Sequence, residues 1–257
     1  MKKEFSGDFG LALKFLSLPM DKAEAAMIRK ATAGVGASVE IVWSIMCGRT
    51  NEEMEILKKT YYQKYDKDMS KMIASELHGD MERLIFNCLQ ADEEPFDPQF
   101  PTTEKAKEDA DIIHKKGQGR WGTDERGIFK VLCSSPPTHI ENISKEYADK
   151  YGYTLLKAME KEMSGNVKKA VLYMLGMKLK PYETLAGLIK EACAGMGTNA
   201  LLLTCTLIRC QSILQQVQTA HIELYGKTIH DRVRSEAGGK YKALLLQILN
   251  AVWPDEG

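Results

Sequence analysis

Three short glycine turns in this sequence, "AGVGAS" at 33–38, "GRWGTD" at 119–124 and "AGMGTN" at 194–199, are each followed at matched distance by a glutamate. Glu76 comes 40 residues after Gly36, Glu162 comes 40 after Gly122, and Glu236 comes 39 after Gly197. A helix that stops at glycine leaves carbonyl oxygens without intrahelical partners, and those oxygens carry the negative end of the helix dipole. Calcium is a hard cation that takes about six to eight oxygens, backbone carbonyls and a bidentate carboxylate among them. A turn that supplies carbonyls, and a distant acid that folds back to supply a carboxylate, together suit calcium. One carboxylate with neutral carbonyls makes a weak site, so water or an external phosphate must complete it, as a phospholipid head group would. Any one of these turns could be plain helix punctuation, since glycine is a common helix stop and acids are ordinary caps. Three turns, each paired with an acid at the same distance, point to a metal.

One turn also spells a different motif. Gly117, Gly119 and Gly122 form a literal G-x-G-x-x-G, and Glu141 lies 19 residues beyond Gly122, where a dinucleotide fold seeks its ribose contact. That fold needs a buried strand running into the first glycine. "KAKEDADIIHKK" stands there instead, charged and helical in pattern, and the turn recurs at 34–36 and 195–197 without the dinucleotide spacing. The dinucleotide reading is therefore set aside.

The elements that must position these turns come from an internal repeat. "FSGDFGLALKFL", "LHGDMERLIFNCL", "MSGNVKKAVLYML" and "AGGKYKALLLQIL" share Gly7, Gly79, Gly165 and Gly239, spaced by 72, 86 and 74 residues. An acid precedes each glycine by three: Glu4, Glu76, Glu162 and Glu236. Stripes at i, i+4, i+8 lie upstream of the last three, Leu57–Tyr61–Tyr65, Ile143–Tyr147–Tyr151 and Val217–His221–Tyr225, and each reads as the core face of a helix. The last turn glycine precedes the final tyrosine by 29, 29 and 28 residues, so the third unit has lost one residue, at a helix junction. Each unit reads as helix, glycine turn, helix, helix, short helix, acidic corner, helix, and the expected class is all-α. The expected division is 1–19, the tail of one unit; 20–92, a full unit; 93–106, a linker rich in proline and acid; 107–178 and 179–257, two more full units.

Composition narrows the partners. Of 257 residues 44% are hydrophobic, enough for a sizeable core, and 35 basic residues balance 35 acidic ones. A neutral chain has no global field for nucleic acid or an anionic membrane, so an anionic partner needs a bridging cation or a local patch. No basic stripe with interleaved aromatics suggests nucleic acid, and no polybasic cluster suggests direct lipid electrostatics. The six cysteines, at 47, 88, 133, 193, 205 and 210, form no CxxC pair and mostly lie in apolar helical stretches, the pattern of buried reduced thiols without zinc. No apolar run of signal-peptide type follows the two N-terminal lysines, and the longest strongly apolar run, Leu201–Ile208, is too short to span a bilayer. A soluble cytoplasmic protein is expected. No G-x-S-x-G elbow, P-loop or metalloprotease motif argues for an enzyme.

The combined pattern resembles the annexin family, whose repeat carries G-x-G-T and, about forty residues on, an acid in an E-x-S-G corner. It is matched by "GMGTN" with "SEAGG", "RWGTDE" with "KEMSG" and "GVGAS" with "SELHG", over essentially the whole chain. The resemblance implies five-helix repeats in a curved disc, calcium (Ca2+) as the cofactor, and reversible peripheral binding of anionic phospholipid membrane when calcium rises. Carried over, the ligands are the carbonyls of Thr32, Gly34 and Gly36 with Glu76; of Gly117, Arg120 and Gly122 with Glu162; and of Cys193, Gly195 and Gly197 with Glu236. Trp121 is expected to enter the membrane interface, the alternative being packing under its loop, with Val35 and Met196 as further lipid contacts. Trp43 is expected in the core, and Trp253 against the tail. The first turn reads Gly36-Ala37-Ser38 instead of Gly-Thr-acid and ranks third. In the sequence as given, the first repeat is represented by its tail only, which implies self-association or a protein partner at the face left over. The alternative function is a calcium-independent scaffold bound to cytoskeleton or another subunit.

Overall fold

The computed structural model describes residues 6–34, 37–95, 97, 103–117, 125–194 and 198–253, and the regular elements among them are all helical. Helix α1 (Gly7–Leu16) precedes three successions of five. The first is α2 (Met20–Ala31), α3 (Val39–Met46), α4 (Asn51–Tyr65), α5 (Met69–Glu76) and α6 (Gly79–Leu89). The second is α7 (Thr103–Gly117), α8 (Glu125–Ser134), α9 (Pro137–Tyr151), α10 (Leu155–Glu162) and α11 (Gly165–Leu179). The third is α12 (Pro181–Ala192), α13 (Ala200–Arg209), α14 (Leu214–Tyr225), α15 (Ile229–Glu236) and α16 (Gly239–Asn250). The all-α repeat class expected from the sequence is the one adopted. The residue missing from the third unit falls at the α13–α14 junction, where a single 3-10 turn, Gln211–Ile213, leads into α14.

The repeated glycines have a backbone reason. Gly7, Gly79, Gly165 and Gly239 each open a helix with φ between +55° and +67°. A Cβ at any of them would meet no atom within 4 Å, so the left-handed backbone, and not crowding, asks for glycine. A second such position closes α4, α9 and α14: Gly152 and Gly226 take φ of +78° and +63°, but the first unit places Asp66 there at +50°. Asp66→Gly is expected to stabilise the protein by about 0.5–1 kcal/mol. A denaturant midpoint that fails to rise would show that the aspartate carries no strain.

The chain divides into two compact units, Met1–Ala31 with Lys180–Gly257, and Thr32–Leu179. In the first, α1 packs on α2, α13 and α16, while α12 packs on α13 and α14. Arg209 Nε meets Glu24 Oε1 there at 2.8 Å. In the second, α7 packs on α8 and α9, α6 on α8, and α11 on α3 and α9. Trp43 is buried with its ring 5.2 Å from that of Tyr173, whose hydroxyl donates to the Ser44 carbonyl at 3.0 Å. Trp253 is half-buried and its backbone N–H donates to Leu249.

The three stripes are core. In each, the first two residues are buried and the closing tyrosine is half-buried. His221, the one non-tyrosine at its position, donates from Nδ1 to the Lys227 carbonyl at 2.6 Å and accepts from Arg232 Nε at Nε2, 2.7 Å. That pattern fixes a neutral ring. Burial, with Arg232 and Lys190 adding repulsion, holds its pKa below the usual histidine range, and burial does the same to His230. The unfolded chain, whose histidines titrate near about 6.5, then takes up protons first as pH falls. Stability is present above that pH and is lost as pH falls toward the folded pKa values. The melting temperature should drop between pH 7 and pH 5, and the drop should shrink in His221→Gln. Equal drops in both proteins would remove His221 from the account.

Candidate cation-binding turns

The middle turn shows the tightest geometry. A Cβ at Gly117, the last residue of α7, would lie 3.1 Å from Glu162 Cγ, 3.5 Å from Cδ and 3.8 Å from Oε2. The half-buried Glu162, the last residue of α10, thus lays its carboxylate against the helix end that starts the turn. Helix α7 is held in that position by α9. Asp111 accepts from the Tyr151 hydroxyl at 2.5 Å and from Lys150 Nζ at 2.6 Å; the lysine first, then the tyrosine, hold its carboxyl below the usual range. His114 stacks on Tyr151 with centroids 3.6 Å apart, and its Nδ1 lies 3.2 Å from the Tyr147 hydroxyl. Burial first, then Tyr153 and Glu162, raise the Tyr147 pKa, which keeps the phenol neutral beside the acid.

Asp111 and His114 are positioning residues that the sequence reading did not single out. By helix register their counterparts are Ala25 and Ile28 in α2, and Ala186 and Ile189 in α12, all buried. At those two places the other helices are seated by apolar packing. The signal was there: an acid and a histidine stand where the other two helices carry alanine and isoleucine.

The last turn is tied differently. Thr198 Oγ1 donates to the Glu236 carbonyl at 2.8 Å, and Asn199 N–H donates to the Ala192 carbonyl at 2.8 Å, closing the loop at its base. Asn199 Oδ1 then caps α13 by accepting from Leu202 N–H at 3.1 Å. Cys193, the C-cap of α12, is buried, and burial with Glu236 nearby pushes its thiol up to about 11. Turn and acid therefore meet at the last site too, with Glu236 exposed.

In the first turn, Gly34 takes φ of +104° and Thr32 is buried. Ala37 stands where the last turn has Thr198 and offers no hydroxyl for the acid's carbonyl. Ser38 precedes α3 without capping it through its side chain, unlike Asn199. Glu76 ends α5 and is half-buried.

Helix ends also align the candidates. Helices α2, α7 and α12 stop at Ala31, Gly117 and Ala192, so Thr32 and Cys193 stand one residue past the position of Gly117. Val35, Gly36, Arg120, Trp121, Gly122, Gly195, Met196 and Gly197 lie outside the described residues, as does Gln118, the counterpart of Thr32 and Cys193. Among the described residues no three His, Cys, Asp or Glu side chains cluster to hold a metal ion. A cation at these turns depends on one carboxylate and backbone oxygens, a hard donor set that fits calcium.

The annexin family model matches residues 23–87 and 108–174. Annexin A7 of Dictyostelium discoideum is 28% identical over 251 residues, covering 97% of this chain and 54% of that protein, so the chain spans about half of that relative's length. The fold matches a mutant of annexin A8 that has an intact N-terminus, with a TM-score of 0.89 at 24% identity, over 95% of this chain and 76% of that one. It matches calcium-bound annexin (Sm)1 with a TM-score of 0.82 at 24% identity, over 96% and 74% of the two chains. Sixteen α-helices among the described residues, in register with the glycine spacing, and a family match over both inner repeats, place this chain in the annexin family.

Proposed function

We propose that this chain binds anionic phospholipid membranes reversibly through calcium held at its glycine turns. Annexins generally bind calcium and phospholipid, are generally non-enzymatic, and typically are cytoplasmic proteins that join membranes peripherally. The observation that carries the reading is the Glu162 carboxylate seated against Gly117, at the mouth of the middle turn. Calcium, if held there, would supply the positive charge that attracts lipid phosphate. The chain's own part is to hold the oxygens: Glu162 with the carbonyls of Gly117, Arg120 and Gly122; Glu236 with those of Cys193, Gly195 and Gly197; and, more weakly, Glu76 with those of Thr32, Gly34 and Gly36. The neutral net charge agrees with a bridging cation, because no global field draws the chain to lipid. Among the described residues no single helix is long and apolar enough to cross a membrane.

Co-sedimentation with phosphatidylserine vesicles tests this. The protein should pellet with calcium and stay soluble with chelator. A folded sample that stays soluble in both conditions would overturn the reading in favour of a calcium-independent scaffold. Trp121 supplies a second readout, since indole favours the membrane interface. Its emission should shift to the blue only when vesicles and calcium are both present. A protein that pellets without that shift would show that Trp121 does not enter the lipid, with Val35 and Met196 left as candidate contacts.

A further inference from the structure

Four sulfur atoms form a row inside the Thr32–Leu179 unit. Cys47 Sγ lies 3.8 Å from Cys88 Sγ, Cys88 Sγ lies 3.8 Å from Cys133 Sγ, and Cys133 Sγ lies 3.8 Å from Met174 Sδ. The row follows the internal repeat. Cys47 and Cys133 each stand 11 residues past their turn glycines, Gly36 and Gly122, while Cys88 and Met174 stand nine past Gly79 and Gly165. The third repeat fills the same two positions with Ile208 and Ile248, both buried. Packing alone is thus served by isoleucine, and two adjacent repeats place sulfur there instead.

The middle thiol, Cys88, has a cysteine sulfur at 3.8 Å on each side. Cys88 and Cys133 are half-buried and line a cavity of about 20 Å³, room for a water-sized molecule, together with Asn87, Glu93 and Lys178. Cys47 is buried and does not line it. Sulfur contacts with Cys133 and then Cys47, one on each side, and the Lys178 ammonium nearby draw the Cys88 thiol below the usual range, while its two neighbours are raised. Cys205 and Cys210, by contrast, are pushed up to about 12 by burial. Reactivity toward oxidants follows thiolate character and access.

We propose that Cys88 is a peroxide-reactive thiol and that Cys133 resolves it, so that hydrogen peroxide converts the pair into a disulfide joining α6 to α8. The Cys88 thiolate attacks one peroxide oxygen, the O–O bond breaks, and hydroxide leaves a sulfenic acid on Cys88. The Cys133 thiol then attacks that sulfur. Its S–H proton goes to the departing hydroxyl, which leaves as water, and the proton released when Cys88 ionised neutralises the hydroxide. Two thiols are oxidised and one peroxide is reduced to two waters. The sulfurs must close from 3.8 Å to a bond of about 2.05 Å.

The test uses the full chain, reduced and then exposed to hydrogen peroxide, with free thiols alkylated and peptides mapped by mass spectrometry without reduction. A Cys88–Cys133 linked peptide is expected, with Cys193, Cys205 and Cys210 recovered alkylated. Cys133→Ser should let a dimedone-trapped sulfenic acid accumulate at Cys88, and Cys88→Ser should lose the cross-link altogether. Recovery of Cys88 unmodified while other thiols oxidise, or a Cys47–Cys88 bond as the main product, would overturn the assignment. The wild-type map decides the matter even where a serine variant folds poorly.

Discussion

Glu162→Gln should raise the calcium concentration needed for half-maximal vesicle binding by about tenfold or more, a cost of about 1.4 kcal/mol. In the proposed site each turn draws on one paired glutamate, and its other donors from the chain are neutral carbonyls. The amide keeps the size of the side chain, so the packing of its Cγ against Gly117 survives while the charge and the bidentate grip are lost. Glu76→Gln should cost less, about threefold or under by the same arithmetic. Its turn has Ala37 where the last turn's Thr198 holds the acid's carbonyl, and Ser38 does not cap the helix that follows. A calcium titration of pelleting compares the two variants directly. Equal losses, or none, would undo this ranking of the sites.

Glu93→Ala should destabilise the protein by about 3 kcal/mol, because it leaves a buried ammonium without its carboxylate. Lys178 Nζ meets Glu93 Oε2 at 2.6 Å and also donates to the Ser135 carbonyl, with its side chain 5% exposed. The glutamate is itself fixed by a reciprocal pair: Asn51 Nδ2 donates to the Glu93 carbonyl at 2.8 Å, and Glu93 N–H donates to Asn51 Oδ1 at 2.9 Å. Those backbone bonds persist in the variant, so the effect isolates the ion pair. For a chain of this size the melting temperature should fall by roughly 6–12 °C. Adding Lys178→Met should recover most of the loss, since the charge that needs pairing is then gone. A single-variant cost below about 1 kcal/mol would mean that water already serves the ammonium.

The helices and their order were legible because both signals are local. The stripes at i, i+4, i+8 mark a buried face, and the glycines at 7, 79, 165 and 239 answer to a backbone angle that few other residues adopt. The near-equal spacing anticipated two contacts, Glu162 against Gly117 and the Glu236 carbonyl accepting from Thr198. What sequence could not show is what holds a turn in place. Asp111 and His114 look like two more polar residues in "KAKEDADIIHKK" until α9 brings Tyr147, Lys150 and Tyr151 against them. Counting back five residues from Gly36, Gly122 and Gly197 aligns Ala31, Gly117 and Ala192, and α2, α7 and α12 do end there. The cysteines were read as buried thiols one by one. The row they form needs α3, α6 and α8 side by side, which no spacing within one repeat reveals.

The polar lock on α7 has a consequence in salt. Asp111 and Lys150 are 30% and 52% exposed, so their attraction belongs to the kind that mobile ions screen. At about 1 M salt the screening length falls to about 3 Å. Helices α2 and α12, seated through Ala25, Ile28, Ala186 and Ile189, have no such charge at the matching places. Ionic strength therefore weakens a tie on α7 that has no counterpart at the matching places on α2 and α12, so that assays in different buffers should weigh the three turns differently.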